Sequence, residues 1–215
     1  MKNCLIFRGG WEGHDPIPTS DLVAEKLRGH GIHVDLFETQ DPLMDPDLKT
    51  KYDLIVPVWT MGTISAEAEN GLLEAVRSGV GIGGWHGGMG DAFRQNTEYQ
   101  FMVGGQWVAH PGGIIDYRVE ITEKDNPIVS GIEDFPMHSE QYFMHTDPGN
   151  HVLAVTRFSG EHASWIAGTV MPVVWTRHYG QGRVFFSSLG HTFDDFKRQP
   201  QILEIAVRGL LWAIR

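Results

Sequence analysis

Short apolar runs alternate with helix-like segments through the first half of the chain, and this alternation limits the fold more than any other feature. Runs with the length and composition of strands lie at 2–8, 32–37, 52–59 and 79–85. Predicted helices follow three of these runs, one capped by Ser20 and ended by Gly31, one capped by Ser65 over 66–78, and one over 91–103. Strands that alternate with helices predict a doubly wound, parallel sheet.

The second half of the chain is richer in strands. Strands are predicted over 114–121, 141–144, 151–157, 171–177 and 183–188, with a hairpin turn at 179–182. Pro200 suits the first turn of a C-terminal helix with an apolar stripe. We therefore predict one α/β domain over residues 1–215, flavodoxin-like and doubly wound, with a mainly parallel sheet and an antiparallel elaboration.

Charge and cysteine content exclude several functions. The chain carries 17 Lys and Arg against 27 Asp and Glu, a formal net charge of −10. So acidic a chain is a poor partner for nucleic acid or anionic membranes. Its single cysteine, Cys4, allows neither an intrachain disulfide nor a Cys-rich zinc site. With no apparent signal peptide or membrane-length apolar run, the expected location is the cytoplasm.

The candidate site residues lie in loops that follow predicted strands. In doubly wound sheets, ligands bind outside the carboxyl ends of the strands. His86 occupies a glycine-rich turn between a strand and a helix, the geometry of a nucleophile elbow. His14 follows the first strand and His191 follows the last one. We expect these three imidazoles, among 11 histidines in the chain, to meet in one cavity.

Further residues are candidates for the edge of the same cavity. Glu140 is the carboxylate best placed to act as a general base, or it is a charge in a rim salt bridge. His110 precedes Pro111 in a glycine-rich loop, where a structural hydrogen-bonding role is the favoured alternative. Flat aromatic side chains near these loops suit the faces of sugar rings, and the candidates for substrate binding are Trp11, Trp59, Trp85, Trp107 and His110.

A nucleotide site is poorly supported. The segment 79–84 matches the G-x-G-x-x-G pattern, but it follows a helix, and Val80 and Ile82 belong to the predicted strand itself. The loop after the first strand contains Glu12 and Asp15, which would repel a phosphate. Flavin or nucleotide binding is therefore the least favoured function.

These segments together resemble the trehalose-utilisation (ThuA-like) family. The resemblance covers nearly the whole chain and rests on blocks at 13–15, 84–86, 104–107, 110–111, 126–131, 140–142, 172–177 and 182–191. It implies a fold of the class I glutamine amidotransferase type, in which the elbow residue is a cysteine. Here the elbow holds His86, so thiolate chemistry is unavailable. The family association implies carbohydrate metabolism.

Two functions remain open from the sequence. The first is an enzyme on a keto-disaccharide or related sugar, in which His14, His86, His191 and Glu140 transfer protons during hydrolysis, elimination or isomerisation. The second is a sugar-binding or regulatory module without chemistry. No cofactor is required, but imidazoles with a carboxylate also suit zinc or a similar divalent ion, with His86, His110 and His191 as expected ligands. The expected partner is a small sugar, and Phe93, Tyr99 and Phe101 would serve either a homo-oligomer interface or the helix core.

Overall fold

The computed structural model describes residues 1–215 and contains one nine-stranded sheet beside a two-stranded one. The strands are β1 Asn3–Gly10, β2 His33–Phe37, β3 Leu54–Thr60, β4 Gly81–Trp85, β5 Gly105–Ala109, β6 Ile114–Ile121, β7 Phe135–Glu140, β8 Phe143–Thr146, β9 His151–Arg157, β10 Val170–Tyr179 and β11 Gly182–Ser187. The helices are α1 Pro16–Gly29, α2 Leu48–Lys51, α3 Ala66–Arg77, α4 His86–Gly90, α5 Thr97–Val103, α6 Phe193–Arg198 and α7 Pro200–Ala213. None of them is both long enough and apolar enough to cross a bilayer.

The large sheet has the order β2-β1-β3-β4-β11-β10-β9-β6-β7. The strands from β2 to β11 are paired in parallel, and those from β10 to β7 continue the sheet in antiparallel pairs. Strands β5 and β8 form a separate antiparallel pair. The predicted α/β class, with a parallel sheet and an antiparallel elaboration, is confirmed.

Side chains of the parallel strands are buried on both faces of the sheet. Along β1, Cys4 and Ile6 join one hydrophobic core, whereas Leu5 and Phe7 join the other. Helices α1 and α7 contribute to the first core, and α3 and α5 contribute to the second. Because successive side chains of a strand point to opposite faces, a continuous apolar run is what such a position requires.

Several local predictions differ from the structure. Helix α1 begins at Pro16 rather than after Ser20, whose hydroxyl donates to the Pro16 carbonyl inside the helix. The helix predicted over 91–103 begins only at Thr97, because Phe93 adopts a left-handed φ of 50°. The sequence does not predict strands β5 and β7, because their apolar pattern is weak.

The aromatic residues considered for an interface divide between core and surface. Phe93 and Tyr99 are fully buried and pack edge to face, with ring centroids 5.1 Å apart. Phe101 is exposed and lies under the guanidinium of Arg177. The first two are therefore core residues, and only Phe101 is available to a partner.

We predict that Cys4 does not react with a thiol reagent while the protein is folded. Its side chain is fully buried in β1, and burial raises the pKa of the thiol well above its ordinary value. A chromogenic disulfide reagent should detect no thiol in native buffer and one thiol per chain in denaturant. Rapid reaction of the native protein would show that β1 opens readily.

Candidate functional site

Four separate chain segments deliver polar side chains to the carboxyl ends of the parallel strands. His14 ends a short 3₁₀ turn after β1, His86 is the first residue of α4 after β4, and His191 follows β11. Glu140 is the last residue of β7, at the antiparallel edge of the sheet. This cluster lies where strand order reverses beside β1, the expected location of a ligand site in such a fold.

The four side chains are within contact distance of one another. Oε2 of Glu140 lies 3.1 Å from Nε2 of His86, 3.4 Å from Nδ1 of His191 and 3.8 Å from Nε2 of His14. Nδ1 of His191 lies 3.2 Å from Nε2 of His86. One nitrogen from each ring and one carboxylate oxygen all lie within 4.8 Å of each other. The structure thus brings together the four residues that the sequence analysis assigned to proton transfer.

Hydrogen bonds outside the cluster orient two of the rings. Nδ1 of His86 lies 2.8 Å from the carbonyl oxygen of Ser188, which can only accept, so this nitrogen carries the proton. The other ring nitrogen of His86 therefore presents a lone pair to the cluster. Nδ1 of His14 lies 2.8 Å from the hydroxyl of Thr60, which leaves Nε2 of His14 facing Glu140.

The electrostatics of the cluster favour an ionised carboxylate and a neutral central imidazole. Burial opposes ionisation of Glu140, but the adjacent imidazoles of His14, His191 and His86 outweigh it and hold the pKa of Glu140 well below its ordinary value. Burial lowers the pKa of His86 to about 3, against the opposing effect of Glu140. Glu140 is therefore a negative charge and His86 an uncharged ring at neutral pH.

Further hydrogen bonds hold the segments that carry the cluster against one another. A carboxylate oxygen of Asp15 accepts from the backbone N–H of Phe193, which links the loops of His14 and His191. The Ser139 hydroxyl, next to Glu140, donates to the buried Asp195. The role of Asp15 is thus to turn the chain and join two loops.

Strained backbone is concentrated around the cluster. The chain has four non-glycine residues with positive φ: Asp15, Met61, His86 and Phe93, at 48°, 59°, 45° and 50°. His86 belongs to the cluster itself, Asp15 follows His14, and Met61 lines the adjacent pocket. Such conformations cost about 1–3 kcal/mol each and persist where the surroundings demand them. The predicted elbow is therefore present as a strained turn.

A cavity of about 170 Å³ opens directly above the cluster. His14 and Glu140 contribute to its floor, and Trp11, Trp107 and His110 form part of its wall. Nε2 of His110 lies 3.6 Å from Oε1 of Glu140, the oxygen that faces away from the other imidazoles. Three of the residues predicted to bind substrate therefore border the same pocket.

An arginine–aspartate pair closes one side of this pocket. Asp91 is buried and accepts from Arg94 at both oxygens, at 2.5 Å from Nε and 2.8 Å from Nη2. The guanidinium of Arg94 lies 4.4 Å above the ring of Trp107. Since the ion pair and the stacking hold the guanidinium in place, its remaining N–H groups form a fixed polar edge.

Tyr142 provides a hydroxyl donor in the pocket. Its ring lies against that of His86 at 4.1 Å between centroids, and it lines the cavity. Burial raises the pKa of Tyr142 well above its ordinary value, so its hydroxyl remains protonated. Tyr142, Asp91 and Arg94 were not predicted as site residues. Tyr142 lies two residues after Glu140, and this spacing could have indicated it as a site residue. No feature of the sequence indicated the Asp91–Arg94 pair.

Two of the predicted tryptophans do not line the pocket. Trp85 is 2% exposed and packs edge to face on Phe196 in a hydrophobic core. It precedes His86 at the end of β4, so the two side chains point in different directions, and its assignment to substrate binding is wrong. Trp59 packs beside Phe7 and also lies outside the lining of the cavity.

The group of side chains whose possible ligand atoms converge differs from the metal ligand set expected from the sequence. His110 contacts only the outer oxygen of Glu140 and is not one of the residues whose ligand atoms converge. His14 and Glu140 take its place beside His86 and His191. The reason is that the 110 loop reaches the cluster from the far side of Glu140.

The family model for ThuA, described as trehalose utilisation, matches residues 3–213. The chain therefore belongs to the ThuA family, which connects it with carbohydrate metabolism. None of the curated proteins matches its sequence.

Solved structures share the fold at low sequence identity. A ThuA-like protein of Bacteroides uniformis is 16% identical, with a TM-score of 0.80 over 99% of this chain and 91% of that one. A cytoplasmic protein of Salmonella typhimurium is 17% identical, with a TM-score of 0.65 over the whole of both chains. A β-galactosidase of Bacillus circulans is 15% identical, with a TM-score of 0.59 over 99% of this chain but only 30% of that one.

We predict that Gly87→Ala displaces His14 without unfolding the chain. A Cβ at position 87 would overlap the imidazole of His14, so the ring must move away. Such overpacking should cost about 1–3 kcal/mol of stability. The NMR signals of the His14 ring should shift in the variant. The control is Gly29→Ala, where a Cβ meets nothing within 4 Å, and equal shifts in both variants would contradict the prediction.

Proposed function

We propose that this protein is an enzyme that acts on a keto-disaccharide or a related sugar through proton transfer by imidazole and carboxylate groups. The observation that carries the proposal is the convergence of His14, His86, His191 and Glu140 beneath a pocket lined by tryptophan, with His14 and Glu140 at its floor. Four chain segments must meet to form this cluster, and a buried, ionised carboxylate is costly to retain without a function.

The pocket walls are suited to a sugar ring. Trp107 and Trp11 offer apolar faces, and Trp11 is 48% exposed at the entrance. The fixed guanidinium of Arg94 offers N–H donors to hydroxyl oxygens. Apolar faces beside a few oriented donors are what a sugar requires.

The volume of the pocket limits what can enter. A cavity of about 170 Å³ is small beside those that enclose drug-sized ligands, which measure roughly 300–1,000 Å³. One ring of a disaccharide therefore occupies the cavity, while the second ring lies outside against the half-exposed Trp11.

The chemistry requires a base and a hydrogen-bond donor. A ketone acidifies the C–H bond beside it, and removal of that proton leaves negative charge on the ketone oxygen. Glu140 is the ionised group that takes the proton, and because its pKa is low it passes the proton on to the imidazoles against it, while the protonated hydroxyl of Tyr142 donates to the oxygen. The resulting enolate either regains a proton at carbon, which completes an isomerisation, or expels a glycosidic oxygen that takes up a proton.

The comparisons support the substrate class and the location of the reaction. Membership of a trehalose-utilisation family points to a disaccharide. A related fold also forms about a third of a β-galactosidase, another protein of sugar metabolism. The structural neighbour described as a cytoplasmic protein supports action in the cytoplasm.

The direct test is proton exchange on trehalose that carries a ketone in one ring. In D₂O the wild type should incorporate deuterium beside the ketone or release product, observed by NMR. Glu140→Gln should reduce this rate by about 10²–10⁴-fold, because an amide cannot accept the proton. The matched control, His138→Gln, alters an exposed histidine of the same strand that pairs with Asp116 and not with the cluster, and it should leave the rate unchanged.

The same experiment distinguishes an enzyme from a sugar-binding module. If the protein is an enzyme, addition of the sugar should still quench the tryptophan fluorescence of the Glu140→Gln variant, although the variant no longer converts the sugar. If the wild type binds the sugar without exchange or product, the protein is a binding module. If it neither binds nor converts oxidised disaccharides, the proposed substrate class is wrong.

We predict a separate role for Arg94 in substrate binding. Arg94→Gln removes the guanidinium that Asp91 and Trp107 hold in place, and it should raise KM by about tenfold with little change in kcat. Steady-state kinetics on the keto-disaccharide measure both values. A loss confined to kcat would instead place Arg94 at the reacting bond.

A further inference from the structure

We propose that the cluster binds one divalent transition-metal ion through Nε2 of His14, Nε2 of His86, Nδ1 of His191 and Oε2 of Glu140. This inference deepens the proposed function, on which its catalytic part rests, by naming a cofactor for the same site. Its binding part depends only on the geometry of the four side chains.

Four of the six separations between these atoms lie near those around a small cation, and all six are within 4.8 Å. An ion with metal–ligand bonds of about 2.0–2.1 Å in a tetrahedron places its ligand atoms about 3.3–3.4 Å apart. In the cluster, the separations from Nε2 of His86 are 3.1 Å to Glu140 and 3.2 Å to His191. Oε2 of Glu140 lies 3.4 Å from His191 and 3.8 Å from His14. Small side-chain movements therefore complete a coordination shell.

The hydrogen-bond inventory of the cluster also calls for a positive centre. The Ser188 carbonyl takes the only proton of a neutral His86 ring, so Nε2 of His86 is an acceptor. It faces a second acceptor, Oε2 of Glu140, at 3.1 Å. The N–H of His191 can donate to only one of these two atoms. A cation among the four atoms satisfies all the lone pairs at once.

The groups behind the ligands have the arrangement found around protein-bound metals. A metal-binding histidine usually donates its other ring N–H to a carbonyl, carboxylate or hydroxyl, which fixes the orientation of the ring. His86 does so to Ser188, and His14 contacts the hydroxyl of Thr60 at 2.8 Å. Both partners belong to elements of the sheet or the turn directly after it, so the rings are held before any ion arrives.

The ligand types narrow the choice of ion. Three imidazoles with one carboxylate favour zinc, iron, cobalt, nickel or copper over calcium and magnesium, which prefer oxygen ligands. Because His14 and Glu140 also form the floor of the pocket, the bound ion would face the sugar site. A divalent ion there would polarise a ketone oxygen that entered its shell as a fifth ligand. Oε1 of Glu140 remains free beside His110 for proton transfer.

The test is metal binding by the full chain, measured apart from any turnover. Protein stripped with a chelator is titrated with Co²⁺ and separately with Zn²⁺ and Mg²⁺. Cobalt uptake is followed by visible absorption and stoichiometry by elemental analysis. We expect one Co²⁺ or Zn²⁺ per chain, absorption typical of a nitrogen- and oxygen-bound cobalt, and no comparable binding of Mg²⁺.

Variants assign the ligands. Thr60→Val removes the hydrogen-bond partner of His14 while it preserves shape, and it should weaken Co²⁺ binding about 10–100-fold. Glu140→Gln and His191→Asn each remove a ligand atom, and each should weaken Co²⁺ binding at least as much. His110→Gln is the matched control, since His110 contacts Glu140 but contributes no ligand, and its stoichiometry should remain one. Circular dichroism checks that each variant is folded.

Clear outcomes would overturn the proposal. Failure of the folded wild type to bind either transition ion would do so, as would a loss of binding in His110→Gln that Glu140→Gln does not show. Stoichiometric metal without conversion of any keto-sugar would leave the metal site standing and contradict the proposed function. Full conversion by the metal-free protein would leave the proposed function standing and contradict the catalytic role of the ion.

Discussion

A buried carboxylate surrounded by three imidazoles is the interaction on which the functional end of this fold depends. Glu140 is 8% exposed, so its charge has little access to water. A lone carboxylate in such a place would become protonated, because desolvation disfavours the charged form. The imidazoles reverse that preference, and they can do so only if the segments after β1, β4 and β11 approach the end of β7. The cluster thus couples the parallel half of the sheet to its antiparallel elaboration.

Much of the architecture could be predicted because its signals are local. Strands β3 and β4 are buried on both faces and appear as unbroken apolar runs, and the helix after β3 has its cap at Ser65. The general rule that ligands lie beyond the carboxyl ends of parallel strands then brought His14, His86 and His191 together without any knowledge of distances. Their convergence is a consequence of topology more than of any short motif.

The parts that could not be predicted depend on long-range packing. Trp85 and His86 are neighbours in sequence, yet one enters a core and the other enters the cluster, because the strained turn begins between them. Arg94 was assigned to a helix, but the positive φ of Phe93 breaks that helix and directs Arg94 toward Trp107. A propensity argument cannot anticipate such a residue, since positive φ is disfavoured for phenylalanine and is imposed by its surroundings.

The elbow shows how one backbone turn can support different chemistry. In the glutamine amidotransferase type of fold that the sequence resemblance implies, the turn presents a cysteine nucleophile. Here it presents His86, whose outer nitrogen is tied to the carbonyl of Ser188 and whose inner nitrogen faces Glu140. An imidazole held in this way has no freedom to attack a substrate, but it has a lone pair of fixed direction. The same strain that would expose a nucleophile therefore serves to hold a base or a ligand within a shared cluster.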